Sequence, residues 1–120
     1  MRTSDFPTIP NNAALTRGIR VKIASSFAAA ASGTEDEVGT VADTVLATDT
    51  KVSVVPIEYF GVKQMVAAAA IAQYATVYAA ASGKITSTPG TLRRGIALQA
   101  ASGDGAIIPV LKQAGSAAAL

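Results

Sequence analysis

The strongest constraint on how this chain folds is a pattern of strand and turn signals that occurs twice. Residues 75–112, ATVYAAASGKITSTPGTLRRGIALQAASGDGAIIPVLK, break into three short apolar runs separated by turn residues, and residues 37–56, EVGTVADTVLATDTKVSVVP, carry a fainter version. In both, a glycine (Gly39, Gly95) precedes a short apolar run, an Asp-containing turn follows (Asp49-Thr50-Lys51, Asp104-Gly105), and a second apolar run ends near a proline. Short apolar runs bounded by Gly, Asp, Ser and Pro read as strands, and a repeated strand-turn-strand unit reads as two related halves. The expected fold is mainly β: a small β-barrel or sandwich of two related halves, with an extended N-terminal arm and at most one short helix.

The 120 residues suit one domain that buries roughly two thirds of its unfolded surface. Much of the apolar half is Ala, with three Phe, three Tyr and no Trp. At roughly 25 cal/mol per Å², a core of Ala, Val, Ile and Leu stabilises an isolated monomer only modestly, and oligomerisation is the simplest remedy. Cysteine and histidine are both absent. That excludes disulfides, thiolate metal sites, Ser-His-Asp and Cys-His catalysis and the commonest zinc ligand. No enzyme activity, cofactor or small-molecule substrate is expected.

The net charge of +2 conceals a segregation. Residues 1–23 set Arg2, Arg17, Arg20 and Lys22 against Asp5, a net +3; residues 35–58 set Glu35, Asp36, Glu37, Asp43, Asp49 and Glu58 against Lys51, a net −5. Residues 63–112 set Lys63, Lys84, Arg93, Arg94 and Lys112 against Asp104, a net +4. Two readings stand open: attraction between the basic leader and the acidic middle of different subunits, or solvated faces.

The start, MRTSDFPTIP, is polar and broken by proline where a signal peptide needs an apolar stretch, so no export signal is expected. The uncharged stretch between Lys63 and Lys84 is long enough to tempt a membrane assignment. Its Ala, Gln and Tyr content and the alternation at 75–79 argue for strands instead.

Residues 1–14 read as an extended arm, 15–112 as the β-rich domain and 113–120 as a tail. Pro7 and Pro10 flank Ile9 in a segment with no period, so Phe6 and Ile9 suit either a partner's surface or a frayed terminus. Residues 15–24 alternate, with Ile19, Val21 and Ile23 expected inward and Arg20 and Lys22 outward. Residues 25–39 read as a loop or a turn or two of helix, and further strands are expected at 41–46, 51–57, 75–81, 95–99 and 106–111. The run Ala67-Ala68-Ala69-Ala70 is open between helix and strand.

Three chemical look-alikes fall away. Ser82-Gly83-Lys84-Ile85-Thr86 lacks the earlier Gly and the hydroxyl after Lys that a phosphate loop needs, because Tyr78 and Ile85 stand there, so Gly83 reads as a turn. Glu35-Asp36-Glu37 lacks calcium-loop spacing. Arg93-Arg94 has no interleaved aromatics for base stacking, so no nucleic-acid partner is expected. Gly105, after Asp104, is expected to supply a turn with positive φ, and Gly39 and Gly95 to be structural.

The segment VYAAASGKITSTPGTLRRGIALQAASGDGAIIPVLK resembles the C-terminal signature of small phage capsid decoration (cement) proteins: a strand, a Gly-Lys turn, a Gly-Ile-Ala-Leu strand, an Ala-rich bend and a final Val/Ile strand. The match covers about residues 62–112, and VGTVADTVLATDTKVSVVPI is weakly similar to a strand pair of lambda-like head decoration proteins. This resemblance implies a homotrimer on the outer face of an icosahedral phage head, at threefold positions between major capsid proteins. It also implies that the arm, through Arg2, Phe6, Pro7, Ile9 and Pro10 with Arg17 and Arg20 behind it, reaches the capsid or a neighbouring subunit. The rival classes are a tail-tube or fibre-base module, and a host-surface binding module presenting Tyr59, Tyr74 and Tyr78.

Overall fold

The computed structural model describes residues 6–35, 37–57, 61–90 and 92–112. Ten short strands follow in chain order: β1 (Thr8–Pro10), β2 (Arg20–Ala24), β3 (Phe27–Ala30), β4 (Gly39–Val41), β5 (Lys51–Pro56), β6 (Val62–Val66), β7 (Thr76–Ala79), β8 (Ile85–Thr86), β9 (Arg93–Ala97) and β10 (Ile107–Leu111). The first five form one sheet in the order β1-β5-β4-β2-β3, and the last five a second in the order β6-β10-β9-β7-β8. All ladders are antiparallel, and the two orders are the same permutation.

The repetition extends to register, at a constant offset of 56 residues. Ile9 pairs with Val52 as Met65 pairs with Ile108, and Val21 pairs with Gly39 as Val77 pairs with Gly95. Val41 pairs with Val54 as Ala97 pairs with Val110, and outside the strands Leu15 bridges Val45 as Ile71 bridges Ala101. Few side chains are shared at that offset; Val21/Val77, Gly39/Gly95 and Val54/Val110 are among them. Gly39 and Gly95 occupy the same crowded crossing, where an added Cβ would lie 2.1 Å from the Val55 carbonyl oxygen and 2.3 Å from that of Leu111.

Each sheet buries its own core. Leu15, Val21, Val41, Val52 and Val54 centre the first, joined by Val66 from the second half; Met65, Ile71, Val77, Ile108 and Val110 centre the second. Neither sheet closes into a barrel. Among the described residues, edge strands β1 and β3 approach each other without pairing, and the second sheet's edges meet in the bridge between Ala67 and Ile85.

Several local expectations are corrected. Residues 27–30 form a strand rather than a loop or helix, because Ser25 and Ser26 both take positive φ (50° and 72°) in the two-residue turn that returns β3 onto β2. The Ala run forms no helix: Ala67 is buried in a bridge, and 68–70 lead irregularly to Ile71. The one helical turn among the described residues is the 3-10 turn Ala81–Gly83. Among the described residues, no helix is long and apolar enough to cross a membrane. The expected faces of β2 are wrong at two positions: Arg20 is fully buried and Ile23 is 53% exposed.

The arm is also shorter than 1–14. Thr8, Ile9 and Pro10 pair with Ser53, Val52 and Lys51 as the edge of the first sheet, a position where proline's missing N–H is tolerated. Asn11 follows as a buried clamp, its Nδ2 donating to the carbonyls of Leu46 and Asp49 at 3.1 and 2.9 Å. Residues 1–5, including Arg2, and the tail 113–120 lie outside the described residues.

Candidate interaction surface

Two recesses stand at equivalent places on the two sheets, and their contents differ. The first-half recess, about 210 Å³, is lined by Pro7, Thr8, Ile9, Ile23, Val38, Val54 and Pro56. The second-half recess, about 190 Å³, is lined by Lys63, Met65, Arg93, Arg94, Val110 and Lys112, together with Glu37 and Ile57 from the first half. Shifting by 56 residues turns Pro7, Ile9, Val38, Val54 and Pro56 into Lys63, Met65, Arg94, Val110 and Lys112.

The second-half recess is the joint between the sheets. Glu37 enters it with a side chain 2% exposed, and its Oε1 accepts from both Arg94 Nη2 at 2.9 Å and Arg20 Nη1 at 3.4 Å. Arg20 spans the junction: Nε donates to the Lys84 carbonyl at 3.1 Å, and Nη2 to those of Ser32 and Ala80 at 2.9 and 2.6 Å. Burial pushes the Arg20 guanidinium below its ordinary pKa, and Glu37 opposes that shift. Lys63 donates to the Ile57 carbonyl at 3.2 Å, and Lys112 donates to the same oxygen. Burial first, then the neighbouring Lys112 charge, lowers the Lys63 ammonium to about 8.

In the first-half recess Ile23 is 53% and Val38 42% exposed, and Phe27, on the neighbouring strand β3, is 37% exposed. Contiguous apolar exposure of this kind marks interaction surfaces.

The structure brings Pro7 and Ile9 together on this recess and leaves Pro10 exposed at the end of β1. Phe6 is half-buried, and Arg17 is an exposed turn residue whose N–H donates to Thr44 Oγ1 at 2.9 Å. Arg20 is no surface contact, since its charge is consumed inside the junction. Gly83 takes φ +73° and donates its N–H to the Ala31 carbonyl at 2.7 Å across the two halves. Asp104 pairs with Lys84 at 2.6 Å, and Gly105, at φ +91°, makes the turn into β10. Sequence reasoning missed Ile23, Val38, Glu37 and Lys63. The available signal was Ile23, an apolar residue two positions beyond the last strand position the core can use.

The sequence matches no family model and no curated protein. Among solved structures, the chain is similar to the N base of head fiber gp8.5 of bacteriophage phi29, with a TM-score of 0.71 at 14% identity, covering 89% of this chain and 92% of that one. At that identity the likeness is one of fold, and it spans both sheets.

Proposed function

We propose that this chain is a virion structural protein that binds the outer surface of an icosahedral phage head as a homotrimer, with the major capsid protein as its partner. It stabilises the shell against internal pressure and carries no catalytic role. The observation that carries this reading is the likeness of both sheets, over nearly the whole of each chain, to the base of a phage head fibre. The resemblance of residues 62–112 to capsid decoration proteins supports the same location. A small β-domain adds a modest binding energy per copy, and many copies on one lattice sum to a large one.

The same solved structure favours a second version in which the domain is the base of a fibre rather than a lattice-wide cement. Quantitative mass spectrometry of purified virions separates them. Copy numbers comparable to the major shell protein indicate a cement, and a much lower copy number on the head indicates a fibre base. Absence from virions overturns both.

A further inference from the structure

The turn that leads into β7 repeats a turn of the first half. In residues 16–19 the Gly18 N–H donates to the Val41 carbonyl at 2.9 Å and the Ile19 N–H to that of Thr16 at 3.1 Å. In residues 72–75 the Tyr74 N–H donates to the Ala97 carbonyl at 2.7 Å and the Ala75 N–H to that of Ala72 at 3.1 Å. The third residue takes positive φ in both turns, +92° at Gly18 and +68° at Tyr74. That position favours glycine, because in the left-handed region a Cβ crowds the following carbonyl. Gly18 meets the demand without strain, and its site has no room for a side chain, since an added Cβ would lie 2.9 Å from the Gln64 carbonyl oxygen. Its counterpart carries a tyrosine that is 67% exposed.

Tyr74 therefore bears a conformational cost that burial in its own fold does not offset. Among the described residues no other large apolar side chain is as exposed. Strained backbone positions cluster where a function retains them, and an exposed tyrosine, rigid and apolar with one polar tip, is a typical anchor of protein interfaces. We propose that Tyr74 is the central anchor of a protein-docking surface formed by residues 68–75 and 98–105, and that the partner seated on it is the shell of the phage head. The partner rests on the head location proposed above; the docking surface rests on Tyr74 and its surroundings.

Those surroundings fit the use. Ile71 and Ala101 exchange backbone hydrogen bonds, and Gln73 Nε2 donates to the Leu98 carbonyl at 3.2 Å, so the two segments lie side by side. Ala69, Ala70, Ala72, Gln73, Gln99 and Ala100 are all exposed there. No charged residue occurs in 64–83 or in 95–103. The first half carries Arg17, Asp43 and Asp49 at the positions held here by Gln73, Gln99 and Gly105. Asp104, which stands where the first half has Thr48, is paired with Lys84 at 2.6 Å. Depletion of charge around an aromatic side chain is the composition of an interface centre, where any charge would have to be desolvated.

The same features select the partner. A surface without cations offers nothing to the phosphates of a nucleic acid or to an anionic membrane. A second copy of this chain is disfavoured by size, because one tyrosine ringed by alanine and glutamine falls far short of the roughly 20–30 residues a side that hold an isolated complex together. So small a contact is sufficient when copies joined in an oligomer engage a repeating lattice, since their modest energies sum.

Tyr74→Gly separates docking from folding, because the two respond with opposite signs. Release of the strain outweighs the added freedom of the unfolded chain, so the melting temperature of the full chain is expected to rise by about 2–4 °C. Affinity for purified phage heads that lack this chain, measured by co-sedimentation, is expected to fall about thirtyfold, the loss typical of an anchor residue. Tyr74→Phe keeps the ring and is expected to retain binding, whereas Gln99→Lys places a charge on the patch and is expected to weaken binding with the melting temperature unchanged. A lower melting temperature for Tyr74→Gly would make the side chain part of the fold and overturn the proposal. Full head occupancy by Tyr74→Gly, or a Tyr74→Phe variant that binds as weakly as Tyr74→Gly, would overturn it as well. So would a Tyr74→Gly variant that still binds heads but sediments as a smaller species in free solution, which would show a contact between copies. A parent chain that binds no heads would refute the head location, and the assigned partner with it; a parent that binds and a Tyr74→Gly variant that binds equally would refute the docking surface alone.

Discussion

Glu37→Gln tests whether the buried charge cluster holds the two sheets together. The substitution keeps the side chain's shape and removes its charge, leaving Arg20, fully buried, facing only backbone carbonyls and weakening the bond from Arg94. Removing one partner of a buried ion pair costs about 3–5 kcal/mol, because the remaining charge stays desolvated. The unfolding entropy near 60 °C is about 2.1 cal/mol/K per residue, so a chain of this length loses about 0.25 kcal/mol per degree, and the melting temperature is expected to fall by about 12–20 °C. Asp104→Asn provides the comparison. It breaks the Lys84 pair at 2.6 Å, but those side chains are 27% and 66% exposed, and such a pair contributes about 0.2–1 kcal/mol, or about 4 °C at most. Thermal unfolding of both full-length variants followed by far-ultraviolet circular dichroism reads the difference. If Glu37→Gln melts no lower than Asp104→Asn, the carboxylate is not a shielded counter-ion and the junction is held by packing alone.

Lys63 predicts an alkaline gain in stability. Its folded pKa of about 8 lies below the ordinary lysine value, so the unfolded chain binds more protons between about pH 8 and 10.5 and stability rises with pH across that window, by at most about 3 kcal/mol. The rise should vanish in Lys63→Met when urea unfolding is measured at pH 7 and pH 10; a rise that persists belongs to other groups. Gly95→Ala should cost more than Gly105→Val. Both positions have positive φ, but a Cβ at 95 meets a backbone oxygen at 2.3 Å whereas one at 105 meets nothing within 4 Å, and equal losses by calorimetry would contradict that account. Removal of residues 1–5 should leave the melting temperature unchanged and weaken binding to phage heads, while removal of 1–12 also strips β1 and the Asn11 clamp and lowers the melting temperature. Full head occupancy after removal of 1–5 refutes a contact role for that segment.

The duplicated architecture was legible because strands β4, β5, β9 and β10 combine a leading Gly, an Asp turn and β-branched residues, and these carry the same topological roles in both halves. Four strands escaped notice. In β1, β3 and β8 the residues are Pro, Ala or too few to show a period, so pairing with neighbours, not local propensity, makes them strands, and in β6 an exposed Val62 and a buried Lys63 invert the alternation that marks a strand. Arg20 misled for a related reason. Alternation assigns a charge to solvent, but β2 has the core on one face and the second half on the other, and its flanking residues Arg20 and Val21 are both buried. The 56-residue register was invisible to side chains, since the two sheets repeat backbone pairing while sharing few residues. The first-half recess was half legible: Pro7 and Ile9 were singled out as contact residues, but Ile23, Val38 and Pro56 join them only once the strands are paired.

The segregated charges find their explanation inside the chain. A basic leader and an acidic middle left attraction between subunits open, yet Glu37 meets Arg20 and Arg94 of its own chain, and Glu35 meets Lys22 at 2.6 Å. The Lys22 ammonium, with the Ser32 backbone and hydroxyl, holds the Glu35 carboxyl down to about 2.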